Sequence, residues 1–318
     1  MRYLILLVVT LLIAAPGIST LPPIDRDEAR YVQATKQMAE TGDYVDIRLQ
    51  EQSRYKKPVG IYWLQSAALA LSGEGANASI WVYRLVSVLG AVLAVLATCW
   101  TGSRLFGPQA GLVSGLLIAG TFGLAFEGHI AKTDAMLLAL TTMAQGALAQ
   151  IHFRSRQAEA VPRHLFWAFW VAQGLAVLVK GPIAPLLSVL TVAALWAMER
   201  DLRWLRNLRI LPGLAVVALI ALPWLAAISW KSGGAFWQEA VGQDLLGKVA
   251  QSQESHGAPP GYYILTYGLY VWPVGVLMLG AGLLTGGLYL RRRSQETEPA
   301  TVRLSAEEEA RLREILRD

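Results

Sequence analysis

Long apolar blocks constrain this chain more than any other feature of its sequence. Hydrocarbon offers backbone groups no hydrogen-bond partner outside their own helix, and a crossing helix needs roughly 20 residues. Only 16% of the residues are charged, against roughly 25% in soluble domains. The sequence therefore predicts an all-α polytopic membrane protein of about eight transmembrane helices. The apolar blocks fall at about 3–20, 84–103, 110–126, 135–153, 165–179, 182–198, 210–228 and 262–290.

The first apolar block has two interpretations. Residues 1–20 resemble a secretory signal, with Arg2 as the only charge before an apolar core. The segment Ala14-Ala15-Pro16-Gly17 is a poor cleavage site, because a proline lies inside it. We therefore expect an uncleaved first span. Cys99, the only cysteine, lies inside an apolar block, so no internal disulfide forms.

The distribution of basic residues predicts the orientation of the chain. With a cytoplasmic N-terminus, the basic residues of the cytoplasmic segments are all arginine, as the positive-inside rule favours. These arginines are Arg2, Arg104, Arg154, Arg156, Arg163, Arg200, Arg203, Arg206, Arg209, Arg291, Arg292 and Arg293. Every lysine falls on the other side, where short loops have no topological need for it. The net charge of +5 is thus spread over loops and does not indicate a nucleic-acid partner.

The polar segments on the outer side also predict structure. Residues 27–40 have a helical spacing of apolar residues, and Gly42-Asp43 follows as a stop signal. Residues 59–72 and 234–248 predict two further helices lying on the membrane surface. We expect one transmembrane domain over 1–290 and a charged cytoplasmic tail over 291–318, in which Ser305 and Glu308 form a capping-box pattern.

Acidic and basic side chains recur in the outer segments. Lysine binds phosphate as a point charge, and a carboxylate serves as a general base. Together they suit an anionic lipid headgroup that is held and reacted at the membrane surface. The residues are Asp27 and Glu28 after the first block; Arg54, Lys56 and Lys57 in RYKKPVGIYW; His129, Lys132 and Asp134 in HIAKTDAML; and Lys180 in VLVKGP.

Each of these residues also has a simpler structural interpretation. Acids favour the first turn of a helix, which accounts for one acid of Asp27-Glu28 but not for the neighbouring Asp25 as well. Lys57 and Lys180 are equally suited to anchor helices at the headgroup level. Asp134 is also placed to cap the fourth span, but a carboxylate at this depth is costly enough to indicate function. His256 is typical of a solvated loop histidine, with a metal or substrate contact as the alternative.

The stretches DEARY, KKPVGIYWLQ, HIAKTDAML and VLVKGPIAPLL resemble the bacterial aminoarabinose and galacturonic acid transferases of lipid A. These enzymes belong to the dolichyl-phosphate-mannose–protein mannosyltransferase clan with the GT-C fold. The resemblance covers residues 1–290, with four motifs in the same order. It implies a GT-C-like bundle in the bacterial inner membrane that transfers a sugar, with inversion, from a polyprenyl-phosphate donor. The acceptor would be lipid A, another glycolipid or a protein, reached at the periplasmic face.

The resemblance also assigns roles to individual residues. Asp27 and Asp134 match the family's acids, Lys57 its lysine before the proline, and Lys180-Gly181-Pro182 its KGP turn. The predicted catalytic residues are thus Asp27 and Asp134, and the predicted substrate-binding residues are Glu28, Arg30, Arg54, Lys57, Lys180 and His256.

The chain departs from the family pattern in ways that change which metal ligands and which protein partners we expect. Lys56 and Val59 replace the family's Glu and second Pro. We therefore predict no metal ligands, although a divalent ion at His256 stays open. Relatives continue with further spans, so a partner subunit that replaces that portion is one expectation. The alternative function is a transporter or non-catalytic subunit that handles lipid-linked sugars. A transporter favours charges at the midplane, whereas here they lie at the outer rim.

Overall fold

The computed structural model describes residues 1–246, 262–296 and 306–316. Its helices are α1 Arg2–Ala14, α2 Arg26–Thr41, α3 Gly60–Ser72, α4 Ile80–Phe106, α5 Pro108–Ala119, α6 Phe122–Gly128, α7 Asp134–Arg156, α8 Arg163–Lys180, α9 Ile183–Glu199, α10 Leu205–Leu208, α11 Ile210–Lys231, α12 Ala235–Trp237, α13 Tyr262–Tyr270, α14 Val274–Glu296 and α15 Ala306–Ile315. A 3₁₀ turn covers Gly75–Asn77 and a π-helical stretch covers Gln238–Leu246. Two short antiparallel strands, β1 Arg48–Leu49 and β2 Gln52–Ser53, pair Arg48 with Ser53. The predicted all-α fold class is confirmed.

Helices occupy all eight apolar blocks. Within the described ranges, Ile80–Phe106 and the run Leu205–Lys231 are each long and apolar enough to cross a membrane, and α5 with α6 makes a third crossing if the bent pair counts as one span. α1 is shorter than its block and ends at Ala14, before Pro16. The predicted number of eight transmembrane helices stays a prediction.

Two blocks contain breaks that the hydropathy pattern did not predict. The block over 110–126 is bent by 63° between α5 and α6. Gly120 ends α5, and the hydroxyl of Thr121 then accepts the backbone N–H of Leu124 to cap α6. The block over 262–290 is divided between α13 and α14 close to Pro273, whose ring removes a backbone donor.

The chain divides into two compact units, Met1–Val274 and Gly275–Asp318. The second unit contains the greater part of α14 and all of α15. This division follows internal packing, whereas the sequence-based division at residue 290 marks the end of the last apolar block and stays a prediction. The candidate site described below lies in the first unit.

Helix α4 is central to the first unit and packs against α1, α3, α5 and α7. It approaches the backbone of α7 closely at Gly90, where a Cβ atom would lie 2.6 Å from the backbone nitrogen of Met136. A contact this close excludes any larger side chain. It fixes the first turn of α7, which begins at Asp134, against the middle of α4.

The helices predicted outside the apolar blocks are also present. α2 buries Tyr31, Ala34 and Met38 on one face, in agreement with the helical spacing of apolar residues over 27–40, and ends at Gly42 in the left-handed conformation with φ 70°. α3 matches the predicted 59–72 helix. The predicted helix over 234–248 differs, because only Ala235–Trp237 is α-helical before the π-helical stretch begins.

Candidate active site

Two close helix contacts bring the predicted lysines to one end of the bundle. A Cβ atom on Gly60 would lie 2.7 Å from the carbonyl oxygen of Leu178, so α3 begins directly against the last turn of α8. Lys57 lies three residues before this contact and Lys180 two residues after it. The glycine in KKPVG therefore places two lysines from distant parts of the sequence beside each other.

These lysines lie at the mouth of a cavity, which we call the lysine groove. The groove has a volume of about 690 Å³ and is lined at one end by Lys56, Lys57 and Lys180. Its walls are apolar and include Val177, Leu178, Trp224, Leu225, Phe236 and Trp237. A cationic mouth on an apolar groove fits a ligand that joins a phosphate to a hydrocarbon chain.

Asp134 holds Lys180 at the mouth of the groove. The Lys180 Nζ donates a hydrogen bond to the Asp134 Oδ1, which links the first residue of α7 to the last residue of α8. Both side chains are partly exposed. A carboxylate in this position orients the ammonium group and leaves it open to a further anion.

Asp27 is the second candidate carboxylate at the end of the bundle that holds the lysine groove. Its carboxylate is 52% exposed and pairs with Arg30 at 3.2 Å and with Arg54 at 3.8 Å. Arg54 is largely buried, and its guanidinium lies 5.4 Å from the centre of the Tyr31 ring. Its Nε has no hydrogen-bond partner within the resolved ranges of the first unit. Asp27 thus combines exposure with two neighbouring cations.

A pair of tyrosines lies near the two carboxylates. The rings of Tyr31 and Tyr62 are 5.5 Å apart. Burial raises the pKa of Tyr31 well above its usual range, and the charge of Asp134 adds to the shift. Burial raises the pKa of Tyr62 to about 12, with Arg54 opposing and Asp27 adding to the shift. Both phenols therefore stay neutral and serve as hydrogen-bond groups. Asp134 acts electrostatically on Tyr31 and Asp27 on Tyr62, so both carboxylates influence this tyrosine pair.

The structure corrects the assignment of Glu28 as a substrate-binding residue. Its side chain has no exposed surface, and Arg84 on α4 donates to both carboxylate oxygens at 2.7 and 3.0 Å. The backbone N–H of Ala131 donates to the same carboxylate at 2.9 Å. Arg84 also donates to the carbonyl oxygens of Ile18 and Leu21. Glu28 is therefore a positioning residue, because it ties α2, α4 and the linker before α7 together.

The neighbouring Asp25 differs from both Asp27 and Glu28, because it caps a helix and pairs with a lysine. It caps α2 by accepting the backbone N–H of Asp27 at 2.7 Å, and Lys132 donates to it at 2.9 Å. Partial burial opposes its charged form, but these two hydrogen bonds outweigh burial and hold the pKa of Asp25 below its usual range. Burial likewise opposes the charge of Lys132, yet its bond to Asp25 and the nearby Glu127 and Asp134 raise its pKa.

Sequence reasoning missed two members of this cluster, Glu127 and Tyr270. Glu127 lies 3.4 Å from the Lys132 Nζ, and the Tyr270 hydroxyl donates to Glu127 at 2.9 Å. An acid directly after an apolar block was the available signal for Glu127. Tyr270 is one of eleven tyrosines and carried no such signal.

The residues that the structure describes do not form a metal site. His256 lies outside the described residues. Within the ranges that are described, no group of three or more His, Cys, Asp and Glu side chains is placed to hold a metal ion. Lys56, an exposed cation, occupies the position at which the resembling family has a Glu. We therefore derive no step through a metal.

Residues 1–237 match the family model described as dolichyl-phosphate-mannose-protein mannosyltransferase. The undecaprenyl phosphate-alpha-4-amino-4-deoxy-L-arabinose arabinosyl transferase of Pseudomonas aeruginosa is 30% identical over 267 residues, which are 80% of this chain and 46% of that protein. The enzyme of the same name from Edwardsiella ictaluri is 28% identical over 82% of this chain and 45% of its own length. The chain thus spans about half the length of these relatives.

Two solved structures share the fold. The apo crystal structure of ArnT from Cupriavidus metallidurans superposes with a TM-score of 0.73 at 20% identity, covering 86% of this chain and 49% of that one. The structure of the same protein bound to undecaprenyl phosphate gives a TM-score of 0.66 at 22% identity, covering 76% of this chain and 43% of that one. At these identities the similarity establishes the fold.

Proposed function

The chain belongs to the dolichyl-phosphate-mannose-protein mannosyltransferase family, and from that membership we propose that it is a membrane glycosyltransferase. It moves a sugar from a polyprenyl-phosphate donor to an acceptor of the cell envelope, lipid A or another glycolipid, with inversion. The names of the relatives favour an aminoarabinosyl group on undecaprenyl phosphate as the donor class. The acceptor and a partner subunit stay predictions.

The observation that carries this proposal is the lysine groove. Lys57 and Lys180 line one mouth of a cavity whose remaining walls are mainly apolar. A polyprenyl phosphate requires this combination, because its phosphate needs cations and its isoprenoid chain needs an apolar surface. The ArnT structure bound to undecaprenyl phosphate has the same fold, which supports the same occupant here.

The side chains around the groove suit a direct displacement. The acceptor oxygen attacks the anomeric carbon, the bond from that carbon to the phosphate oxygen breaks, and polyprenyl phosphate leaves with the electron pair. Lys57 and Lys180 neutralise the charge that develops on the leaving phosphate. A single well-placed electrostatic donor typically lowers such a barrier by about 2.7–4 kcal/mol.

Asp27 is the proposed general base. Its exposed carboxylate takes the proton of a hydroxyl acceptor as the new bond forms. If the acceptor is a phosphate, no proton has to move, and Asp27 orients the acceptor. Asp134 orients Lys180 in either case, since the two side chains are bonded to each other.

We further propose that the groove opens on the periplasmic face of a bacterial inner membrane, with both termini cytoplasmic. The arginines at the opposite end of the bundle support this orientation, because cytoplasmic segments favour basic residues. Ionisable groups at the rim, such as Asp27 and Lys57, also favour surface chemistry over transport through the bundle.

The Asp27→Asn variant tests this function. We expect sugar transfer in membranes to fall by about 10²-fold or more, the usual contribution of a general base, while binding of undecaprenyl phosphate stays at its original level. Lys57→Gln should instead weaken binding of undecaprenyl phosphate. Glu51→Gln is the matched control, since Glu51 is exposed and its side chain has no ion pair among the described residues. Full activity of Asp27→Asn would refute the assignment of the base.

A further inference from the structure

A second cationic feature lies at the end of the bundle opposite the lysine groove. Residues 200–209, which we call the arginine turn, connect α9 to α11 and contain Arg200, Arg203, Arg206 and Arg209. The last turn of α7 packs beside the start of this segment, where Arg156 lies 3.4 Å from Asp201. Since α7 begins at Asp134, its length separates the arginine turn from the candidate active site.

The arginine turn borders a shallow, largely open surface cavity of about 640 Å³. Arg203, Arg206 and Arg209 line it together with Leu202, Ile210 and Leu211. Leu211 is 81% exposed and Leu202 and Ile210 are each about 40% exposed. Guanidinium groups and exposed apolar side chains therefore share one concave surface.

Two of the guanidinium groups are available to an anion. Asp201 already binds Arg203, at 3.1 Å. Arg206 and Arg209 form no ion pair with any residue whose placement is described, and the guanidinium of Arg209 lies 5.8 Å from the centre of the Phe166 ring. A planar guanidinium presents its donors in a fork that matches phosphate oxygens.

We propose that the arginine turn binds one anionic phospholipid. Arg206 and Arg209 contact the headgroup phosphate, and the acyl chains lie along Leu202, Ile210 and Leu211. A free phosphate ion would use the guanidinium groups alone, whereas the exposed leucines and isoleucine fit a ligand with hydrocarbon attached. Basic pockets beside transmembrane helices bind acidic lipid headgroups in this way. This lipid site is separate from the proposed donor site and takes no part in the transfer reaction.

Native mass spectrometry of the full chain in detergent tests the site. Phosphatidylglycerol and phosphatidylcholine with identical acyl chains are titrated in parallel. We expect one phosphatidylglycerol to bind in preference to phosphatidylcholine, and Arg206→Gln to weaken it by about fivefold, the weight of one arginine on an anionic lipid. Arg163→Gln is the matched control, since Arg163 is exposed at the same end and loses the same charge outside the cavity.

Two further arms separate the competing explanations. Excess inorganic phosphate should not displace phosphatidylglycerol, and displacement would mean a plain anion site. Lys57 lies in the lysine groove, so Lys57→Gln should leave phosphatidylglycerol binding at the arginine turn unchanged. This outcome tests the lipid site independently of the proposed transferase function. Equal weakening in Arg206→Gln and Arg163→Gln, or equal binding of the two lipids, would overturn the proposal. Because Arg206 is exposed, its variant keeps the core intact.

Discussion

The buried pair of Glu28 and Arg84 shows how single residues organise the active end. Arg84 makes two hydrogen bonds to Glu28 and two short ones to the carbonyl oxygens of Ile18 and Leu21. Both side chains are at most 1% exposed. Removing one partner of such a pair leaves a buried charge without compensation, which is more costly than the pair itself is favourable.

We expect Glu28→Gln to lower the free energy of unfolding by about 3–5 kcal/mol, because it leaves the Arg84 charge uncompensated. Thermal unfolding of the purified chain in detergent measures this change. The double variant Glu28→Leu/Arg84→Met removes both charges and should recover part of the loss. Unchanged unfolding together with weaker donor binding would restore Glu28 to the substrate-binding residues.

The roles of the three acids in IDRDEAR could not be read from the sequence alone. Asp25, Asp27 and Glu28 are neighbours, yet Asp25 pairs with Lys132, Asp27 is exposed, and Glu28 is buried. The difference depends on which helix face each acid occupies and on partners more than 50 residues away. The sequence predicted that these acids were unusual, but it could not predict which one faces a substrate.

Helix packing at glycines sets the spacing of the groove lysines. The contact of Gly60 with the backbone of Leu178 joins α3 to α8. Gly60→Ala would place a methyl group 2.7 Å from that carbonyl oxygen, and backbone cannot move aside as a side chain can. Overpacking of this kind typically costs about 1–3 kcal/mol.

We expect Gly60→Ala to lower the unfolding temperature and to weaken binding of undecaprenyl phosphate, because α3 and α8 move apart and separate Lys57 from Lys180. Binding and thermal unfolding are measured on the same preparation. Gly280→Ala serves as the control, since its added methyl group meets nothing within 4 Å. Unchanged donor binding in a destabilised Gly60→Ala would show that this contact does not set the groove spacing.

Helix positions were predictable where hydropathy decides them, and their breaks were not. α4, α7 and α11 follow their apolar blocks closely, because hydrocarbon-like surroundings force the backbone to bond internally. The 63° bend between α5 and α6 depends on how Thr121 caps the next helix, and hydropathy carries no information on capping. The close contacts at Gly60 and Gly90 likewise depend on tertiary packing.

At the scale of the whole molecule, two differently charged ends are separated by the length of the helices. Lys57, Lys132 and Lys180 gather at the end that begins α7, and Lys231 pairs with Asp43 beside them. The arginine turn lies at the other end, where Asn207 donates to Ser155 at 2.8 Å. The 23 residues of α7 extend about 34 Å, slightly more than the roughly 30 Å hydrocarbon thickness of a bilayer. The two ends should therefore face opposite sides of the membrane.

Cysteine labelling tests which side each end faces. In a Cys99→Ser background, which removes the only native thiol, Gln52→Cys reports on the lysine end and Gln157→Cys on the arginine end; both positions are exposed. A membrane-impermeant maleimide added to intact bacterial spheroplasts should label Gln52→Cys directly and Gln157→Cys only after permeabilisation. The reverse pattern would place Asp27 and Lys57 in the cytosol, where a periplasmic transfer reaction has no acceptor. Labelling of both positions in intact spheroplasts would contradict a membrane-spanning α7, because its two ends would then share one compartment.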